Sequence, residues 1–190
     1  MLSLNEISGA LKPHIRESAL IAIDGLPCSG KTALADRLAV DLGLEILGLD
    51  DFYLPEAMWP RDIAPAFPFP YFRADQFREA MHDLKTKGRC SYLPYDLESS
   101  RISSTPRELR RRGPLIVEGC SVLDPSVEHD YDLRLFVASD RATIMDVRQV
   151  RGGAVETVHW EKLFLPSVDL YMATEPERRA DIVVKGRGLR

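Results

Sequence analysis

The sequence predicts an α/β fold of three layers, a mostly parallel sheet with helices on both faces. Three observations predict it. Five short apolar runs, at 19–23, 44–49, 114–117, 133–138 and 181–184, have the length and continuity of strands buried on both sides. Stretches with helical spacing separate most of them, and strands that alternate with helices pair in parallel. The chain has 190 residues, 45% of them hydrophobic and 28% charged, with no internal repeat, which fits a single globular domain over 1–190.

Taken in order, Leu2, Leu4, Ile7, Leu11 and Ile15 recur at helical spacing and predict an amphipathic helix before the first strand. The run 19–23 leads into a glycine-rich turn. Leu34, Leu38 and Leu42 then mark a helix over 32–42 that Gly43 stops. A second strand at 44–49 is closed by Asp50 and Asp51. From 54 to 72 five prolines forbid regular structure, yet Trp59, Phe67, Phe69, Tyr71 and Phe72 make the loop too apolar for disorder. Such a loop either packs on the core or faces a substrate. Phe77, Met81 and Leu84 give a helix over 75–87 ended by Gly88, and residues 90–104 alternate weakly, as a short hairpin would. The arginine-rich stretch 106–112 reads as a basic helix or loop with a solvated face. Two further helices are expected at 141–150 and 155–172. Within the second, Trp160, Leu163, Phe164 and Leu165 read as core or a helix seam.

Charge and cysteine usage exclude several functions. The 25 basic and 29 acidic residues leave a net charge of −4, which argues against nucleic acid or an anionic membrane as partner. No apolar run approaches the roughly 18 residues of a membrane span, and the first sixteen residues lack the apolar centre of a signal peptide. Cys28, Cys90 and Cys120 are too scattered for a disulfide framework or a zinc site, so reduced thiols and a cytoplasmic location are expected. His14, His82, His129 and His159 share no metal-ligand spacing.

The sharpest motif is Gly25-Leu26-Pro27-Cys28-Ser29-Gly30-Lys31-Thr32, a full match to G-x-x-x-x-G-K-[ST] between a strand and a helix. Gly25 and Gly30 let the backbone curl, so that the N–H groups through Pro27, Cys28 and Ser29 turn toward phosphate oxygens; proline itself supplies no N–H. Lys31 brings an ammonium to the β- and γ-phosphates, the Thr32 hydroxyl can ligate Mg²⁺, and the following helix aims its positive end at the same place. ATP and Mg²⁺ are the expected cofactors, and the fold becomes a three-layer P-loop NTPase fold.

Groups at the carboxyl ends of neighbouring parallel strands share one crevice. Asp50 and Asp51 end the second strand, and Glu118 ends the strand at 115–117. Glu118 suits a residue holding a Mg²⁺-bound water. Asp50 is a candidate general base for an acceptor hydroxyl, with Asp51 beside it on the acceptor side. Periodicity does not choose between the two aspartates, and either can instead serve as a turn residue.

The phosphate loop, Asp50-Asp51-Phe52-Tyr53, Pro94-Tyr95-Asp96, Leu115-Ile116-Val117-Glu118-Gly119 and Asp181-Ile182-Val183-Val184, in this order over about 20–186, resemble the uridine kinase and phosphoribulokinase-like group of P-loop kinases. The resemblance implies ATP- and Mg²⁺-dependent transfer to a hydroxyl of a small molecule. It makes Asp50 the catalytic aspartate, places Tyr53 and Tyr95 in the acceptor pocket, and makes Arg148 and Arg151 lid arginines around the phosphates. It also implies an acceptor-binding insertion at about 54–104, a lid at about 141–160, and adenine near Lys185-Gly186-Arg187. The chain departs from the pattern at Arg73, which stands where the group has an aspartate for ribose hydroxyls. It departs again after Tyr95-Asp96, where a histidine is missing, and at Gly152-Gly153, where further arginines are usual. These departures speak against uridine, and an arginine facing the acceptor predicts an anionic one, such as a sugar acid. A nucleotide kinase with a phosphate acceptor and a non-catalytic nucleotide-binding regulator are the alternatives. A guanine-specific switch is excluded: the one asparagine, Asn5, precedes the phosphate loop, so no N-K-x-D element exists.

Overall fold

A computed structural model describes Glu6 and residues 20–127, 130–151 and 157–187. The expected amphipathic helix at the start lies, Glu6 apart, outside the described residues. In chain order the elements are β1 (Leu20–Gly25), α1 (Lys31–Leu42), β2 (Glu45–Gly48), α2 (Ala74–Thr86), β3 (Arg89–Tyr92), β4 (Tyr95–Asp96), β5 (Arg101–Ile102), β6 (Arg107–Arg110), β7 (Leu115–Glu118), β8 (Leu133–Ala138) and α3 (Arg141–Arg151). Then α4 (Thr157–His159) passes through a π-helical segment, Trp160–Phe164, into α5 (Leu165–Met172), and β9 (Ile182–Lys185) follows.

Five strands form one sheet in the order β2-β7-β1-β8-β9, and every neighbouring pair is parallel. The apolar runs explain why. A strand in the middle of such a sheet buries both faces, and β1 does so by alternation. Ile21 and Ile23 pack with Leu34, Ala35 and Leu38 of α1, whereas Leu20 and Ala22 join Phe77, Met81 and Leu84 of α2 on the other side. Each isoleucine is wholly buried, worth about 1.5–3 kcal/mol relative to exposure. A third cluster caps the carboxyl end of the sheet, with Phe69 and Tyr71 from the proline-rich loop against Trp160, Phe164, Val168 and Tyr171.

Two local expectations are corrected. Residues 107–110 are a strand, β6, antiparallel to β3 with Leu109 opposite Cys90. Leu109 is buried while its neighbours are exposed, so period-two burial overrides the basic composition. The weak hairpin is also split: β4 pairs with β5, and β3 pairs with the more distant β6. The proline-rich loop is closed at its base by a bridge between Tyr53 and Phe72, with Leu54 N–H donating to the Tyr71 carbonyl at 2.8 Å. It contains one short 3-10 turn, Glu56–Met58. Among the described residues no helix is long and apolar enough to cross a membrane.

Candidate active site

The phosphate loop leaves β1 at Gly25, whose φ of 145° and whose approach to Val137 exclude a side chain: a Cβ there would lie 2.4 Å from the Val137 carbonyl oxygen. The loop curls through Cys28, at a φ of 60°, and Gly30, and α1 begins at Lys31. Lys31 is buried and bends back over the loop, its Nζ donating to the Leu26 carbonyl at 3.0 Å. Burial favours the neutral amine, but Glu118, Asp50 and Asp24 nearby more than offset it and hold the ammonium above its ordinary value. Ser29 is fully buried, with a hydroxyl that has no hydrogen-bond partner.

Glu118 ends β7, which lies beside β1, and is only 7% exposed. Burial pushes its carboxyl up to about 7, against the pull of Lys31 and with further push from Asp50. Thr32 Oγ1 donates to Glu118 Oε1 at 3.5 Å, a loose contact that leaves both oxygens able to take a cation between them.

The structure separates the two aspartates. Both lie in a 3-10 turn, Leu49–Phe52, after β2, where successive residues point about 120° apart. Asp50 lines the cavity beside Lys31 and Glu118. Burial raises its carboxyl, while Lys31 and a hydrogen bond from the Tyr53 hydroxyl oppose the rise. Asp51 turns to the other side, accepting from the Tyr92 hydroxyl at 2.6 Å and from Arg107 Nη1 at 2.9 Å. The expectation that Asp51 faces an acceptor is therefore corrected: it anchors β3 and β6 to the turn.

Arg73 is also corrected. Its guanidinium donates to the carbonyls of Tyr53 (3.1 Å), Asp51 (2.6 Å) and Leu93 (3.0 Å) and to the Gln76 side chain. It is buried behind the turn, off the cavity wall, as a clasp holding three backbone segments together. Tyr53 lines the cavity, but Tyr95 does not; its ring meets Tyr53 edge-on at 6.2 Å and supports it from behind. Arg148 lines the cavity with its guanidinium 4.9 Å over the Trp160 ring. Arg151 ends α3, and its side chain, like Gly152 and Gly153, lies outside the described residues.

The cavity so formed has a volume of about 620 Å³. Phosphate-loop residues, Asp50 and Glu118 line it together with rings from the proline-rich loop and the π-helical segment, and Leu26 and Cys28 of the phosphate loop pack on those rings. Trp160 and Phe164 therefore serve as wall as well as core, whereas Leu163 and Leu165 stay in the cluster behind. Sequence reasoning also missed Asp24. This wholly buried carboxylate accepts from the N–H groups of Gly25, Ser121 (3.2 Å) and Leu123 (2.8 Å) and from the Tyr171 hydroxyl. Burial raises it, and those hydrogen bonds oppose the rise. The one signal was an acid directly after an apolar run and directly before the glycine.

No family model matches the sequence, and no curated protein matches it. Solved structures share its fold. A protein described as a possible uridine kinase from Bacillus stearothermophilus aligns at a TM-score of 0.74 and 19% identity, over 96% of this chain and 97% of that one. One provisionally described as a fructose transport system kinase from Silicibacter aligns at 0.69 and 21%, over 96% and 99%. D-glycerate 3-kinase from Cryptococcus neoformans aligns at 0.54 and 15%, over 93% and 87%. These likenesses, with the sheet order and the loop, establish a three-layer α/β P-loop kinase-like fold.

Proposed function

We propose that this chain transfers the γ-phosphoryl group of ATP to a hydroxyl of a small molecule, with Mg²⁺ as cofactor. The observation that carries the reading is the meeting of Lys31, Asp50 and Glu118 in a single cavity, each brought there by the exit of a different parallel strand.

The donor set fits the cofactors. The curled loop and Lys31 suit a triphosphate, and the Thr32 hydroxyl with Glu118 would hold Mg²⁺, which needs only one or two protein oxygens when phosphate oxygens complete its shell. Bound Mg²⁺ would supply charge neutralisation on the phosphates. Lys31 adds a positive charge held firmly by its neighbours. Asp50 then does the work specific to transfer. Held by Tyr53, its carboxylate accepts the acceptor's hydroxyl proton as the new O–P bond forms and the bond to ADP breaks. Burial raises the basicity of that carboxylate, in the direction a base needs. A phosphate acceptor is disfavoured because Arg73, the cation that would have received it, is committed to backbone carbonyls. A purely regulatory nucleotide site gives no reason to aim Asp50 inward. The three free thiols suit a reducing, cytoplasmic setting.

The test is coupled ADP release with and without added alcohols. Asp50→Asn should lower turnover by about 10²–10⁴-fold while leaving nucleotide affinity intact, and Lys31→Ala should damage both. Near wild-type turnover in Asp50→Asn refutes the assigned base.

A further inference from the structure

One wall of the cavity is built of aromatic rings that brace one another. Tyr71 stacks on Phe164 with ring centroids 4.1 Å apart and on Phe69 at 5.3 Å, and Trp160 lies nearly parallel to Phe164 at 6.4 Å. Tyr53 meets Tyr71 and Phe164 edge-on.

The polar atoms of this wall are already engaged or out of reach. The Tyr53 hydroxyl is directed to Asp50 and the Tyr71 hydroxyl lies beside Ser167, whose oxygen accepts from Ala66 N–H at 3.2 Å. Trp160 Nε1 is buried away from solvent with no partner. Asp50 remains to receive one hydroxyl. Glu98 sits at the exposed mouth, and the cations on the described wall, Lys31 and Arg148, stand with the phosphate loop and on the Trp160 face.

Two acceptor chemistries fit this wall poorly. A polyol would bury several hydroxyls without partners, each costing about 1–3 kcal/mol. Among the described residues, a carboxylate or phosphate would enter between Asp50, Glu118 and Glu98, while the two cations of the wall are committed, Lys31 to the phosphate loop and Arg148 to the Trp160 face. We infer that the acceptor is an uncharged compound with a flat, largely apolar ring and a single reacting hydroxyl, of the arylmethanol or heteroarylmethanol kind. The ring lies against the cavity-lining rings of Tyr53, Phe69 and Phe164, and the hydroxyl meets Asp50. This rests on the phosphotransfer reading above and selects within it. The transfer is otherwise as described: the hydroxyl proton passes to Asp50, the alcohol oxygen takes the γ-phosphorus, and ADP leaves with the electrons of the broken bond.

The test uses the full chain with Mg²⁺ and a non-hydrolysable ATP analogue. Affinities are measured by calorimetry for 3-hydroxymethylpyridine and benzyl alcohol against uridine, fructose and D-glycerate, and ADP release from ATP is measured with each. The flat mono-alcohols are expected to bind at least about tenfold more tightly than the three polyhydroxylated or anionic compounds and to raise ADP release above the acceptor-free rate. Phe164→Leu, which keeps the wall apolar but removes the stack, should weaken the flat alcohols by about threefold to tenfold while nucleotide affinity, the check on folding, holds. Tighter binding and faster turnover with uridine, fructose or glycerate overturn the inference and leave the kinase reading standing. No measurable binding of either flat alcohol overturns it as well. Binding of the flat alcohols with no ADP release for any compound refutes the phosphotransfer reading, and the acceptor role falls with it.

Discussion

Glu118→Gln should make the ligand-free protein more stable at alkaline pH while disabling it as an enzyme. Glu118 ionises at about 7 in the folded chain, against an ordinary value of 4.5, because burial penalises the carboxylate. Its folded-state value is raised, so the sign is opposite to that of a salt-bridged acid. Below 4.5 both folded and unfolded chains hold the proton, and there is no difference. Between 4.5 and about 7 the unfolded chain has lost it and the folded chain has not, so stability falls as pH rises, and the full penalty is present by pH 8. That interval corresponds to about 3 kcal/mol. Glutamine keeps the size and an acceptor oxygen for Thr32 but has no charge to bury. Lys31 loses a counter-charge, which makes about 3 kcal/mol the ceiling of the gain. Urea unfolding of metal-free, nucleotide-free protein at intervals from pH 5 to 8 measures it. The two stabilities should differ least at pH 5, with wild type falling away as pH rises. Stabilisation by Mg²⁺ with nucleotide should shrink in the variant, and ADP release should drop by about 10²-fold or more. A stability gap that stays constant from pH 5 to 8, or a wild type that is the more stable at pH 8, would refute the claim that burial dominates at this carboxylate.

Arg73→Leu should cost about 1–3 kcal/mol of stability, because it strands three partly buried carbonyl acceptors, and should leave the KM for an alcohol acceptor unchanged in the protein that folds; a selective rise in that KM at unchanged stability would return Arg73 to the acceptor. Gly186→Ala should raise the KM for ATP about tenfold or more, since a Cβ there would sit 2.7 Å from the Ser29 carbonyl oxygen and 2.4 Å from that of Ala138, pushing on the phosphate loop where Arg187 N–H holds it at 3.0 Å; unchanged ATP kinetics would show that this strap does not shape the loop. Asp24→Asn should destabilise by about 2–4 kcal/mol by turning an amide donor toward N–H and hydroxyl donors, which thermal unfolding reads directly, a neutral result showing that the site relaxes.

What could be read from the sequence was what depends on neighbours along the chain. The phosphate loop is a local backbone shape, so where Gly25, Gly30, Lys31 and Thr32 stand could be read from the motif. Glu118 was legible because a strand end is a position in the sheet as well as in the sequence. Asp50 and Asp51 were not separable, because the choice depends on a 3-10 turn that no period announces. Arg73 was misread for a related reason. Its partners are carbonyls of Asp51, Tyr53 and Leu93, and backbone oxygens leave no mark in a sequence. The rings at 69, 71, 160 and 164 were visible as apolar residues, but whether such a residue faces core or cavity is decided by what packs opposite.

A buried acid with no cationic partner bonded to it is tolerated at the heart of the sheet because four donors surround it. Phosphoryl transfer needs donor phosphorus and acceptor oxygen held about 3–3.5 Å apart in line, and small displacements are expensive in rate. The phosphate loop and the aromatic wall come from distant parts of the chain, so something must fix one to the other. Asp24 does this at the base of the loop. One oxygen takes the Gly25 N–H, and the other takes the Tyr171 hydroxyl, while Tyr171 itself packs on Phe67 at 4.9 Å and on Phe69 at 6.3 Å. A carboxylate is the one short side chain that accepts four hydrogen bonds at once. Its burial is therefore a cost borne for position: in the proposed transfer the group would not meet the reactants, yet it ties the phosphate loop to the aromatic cluster.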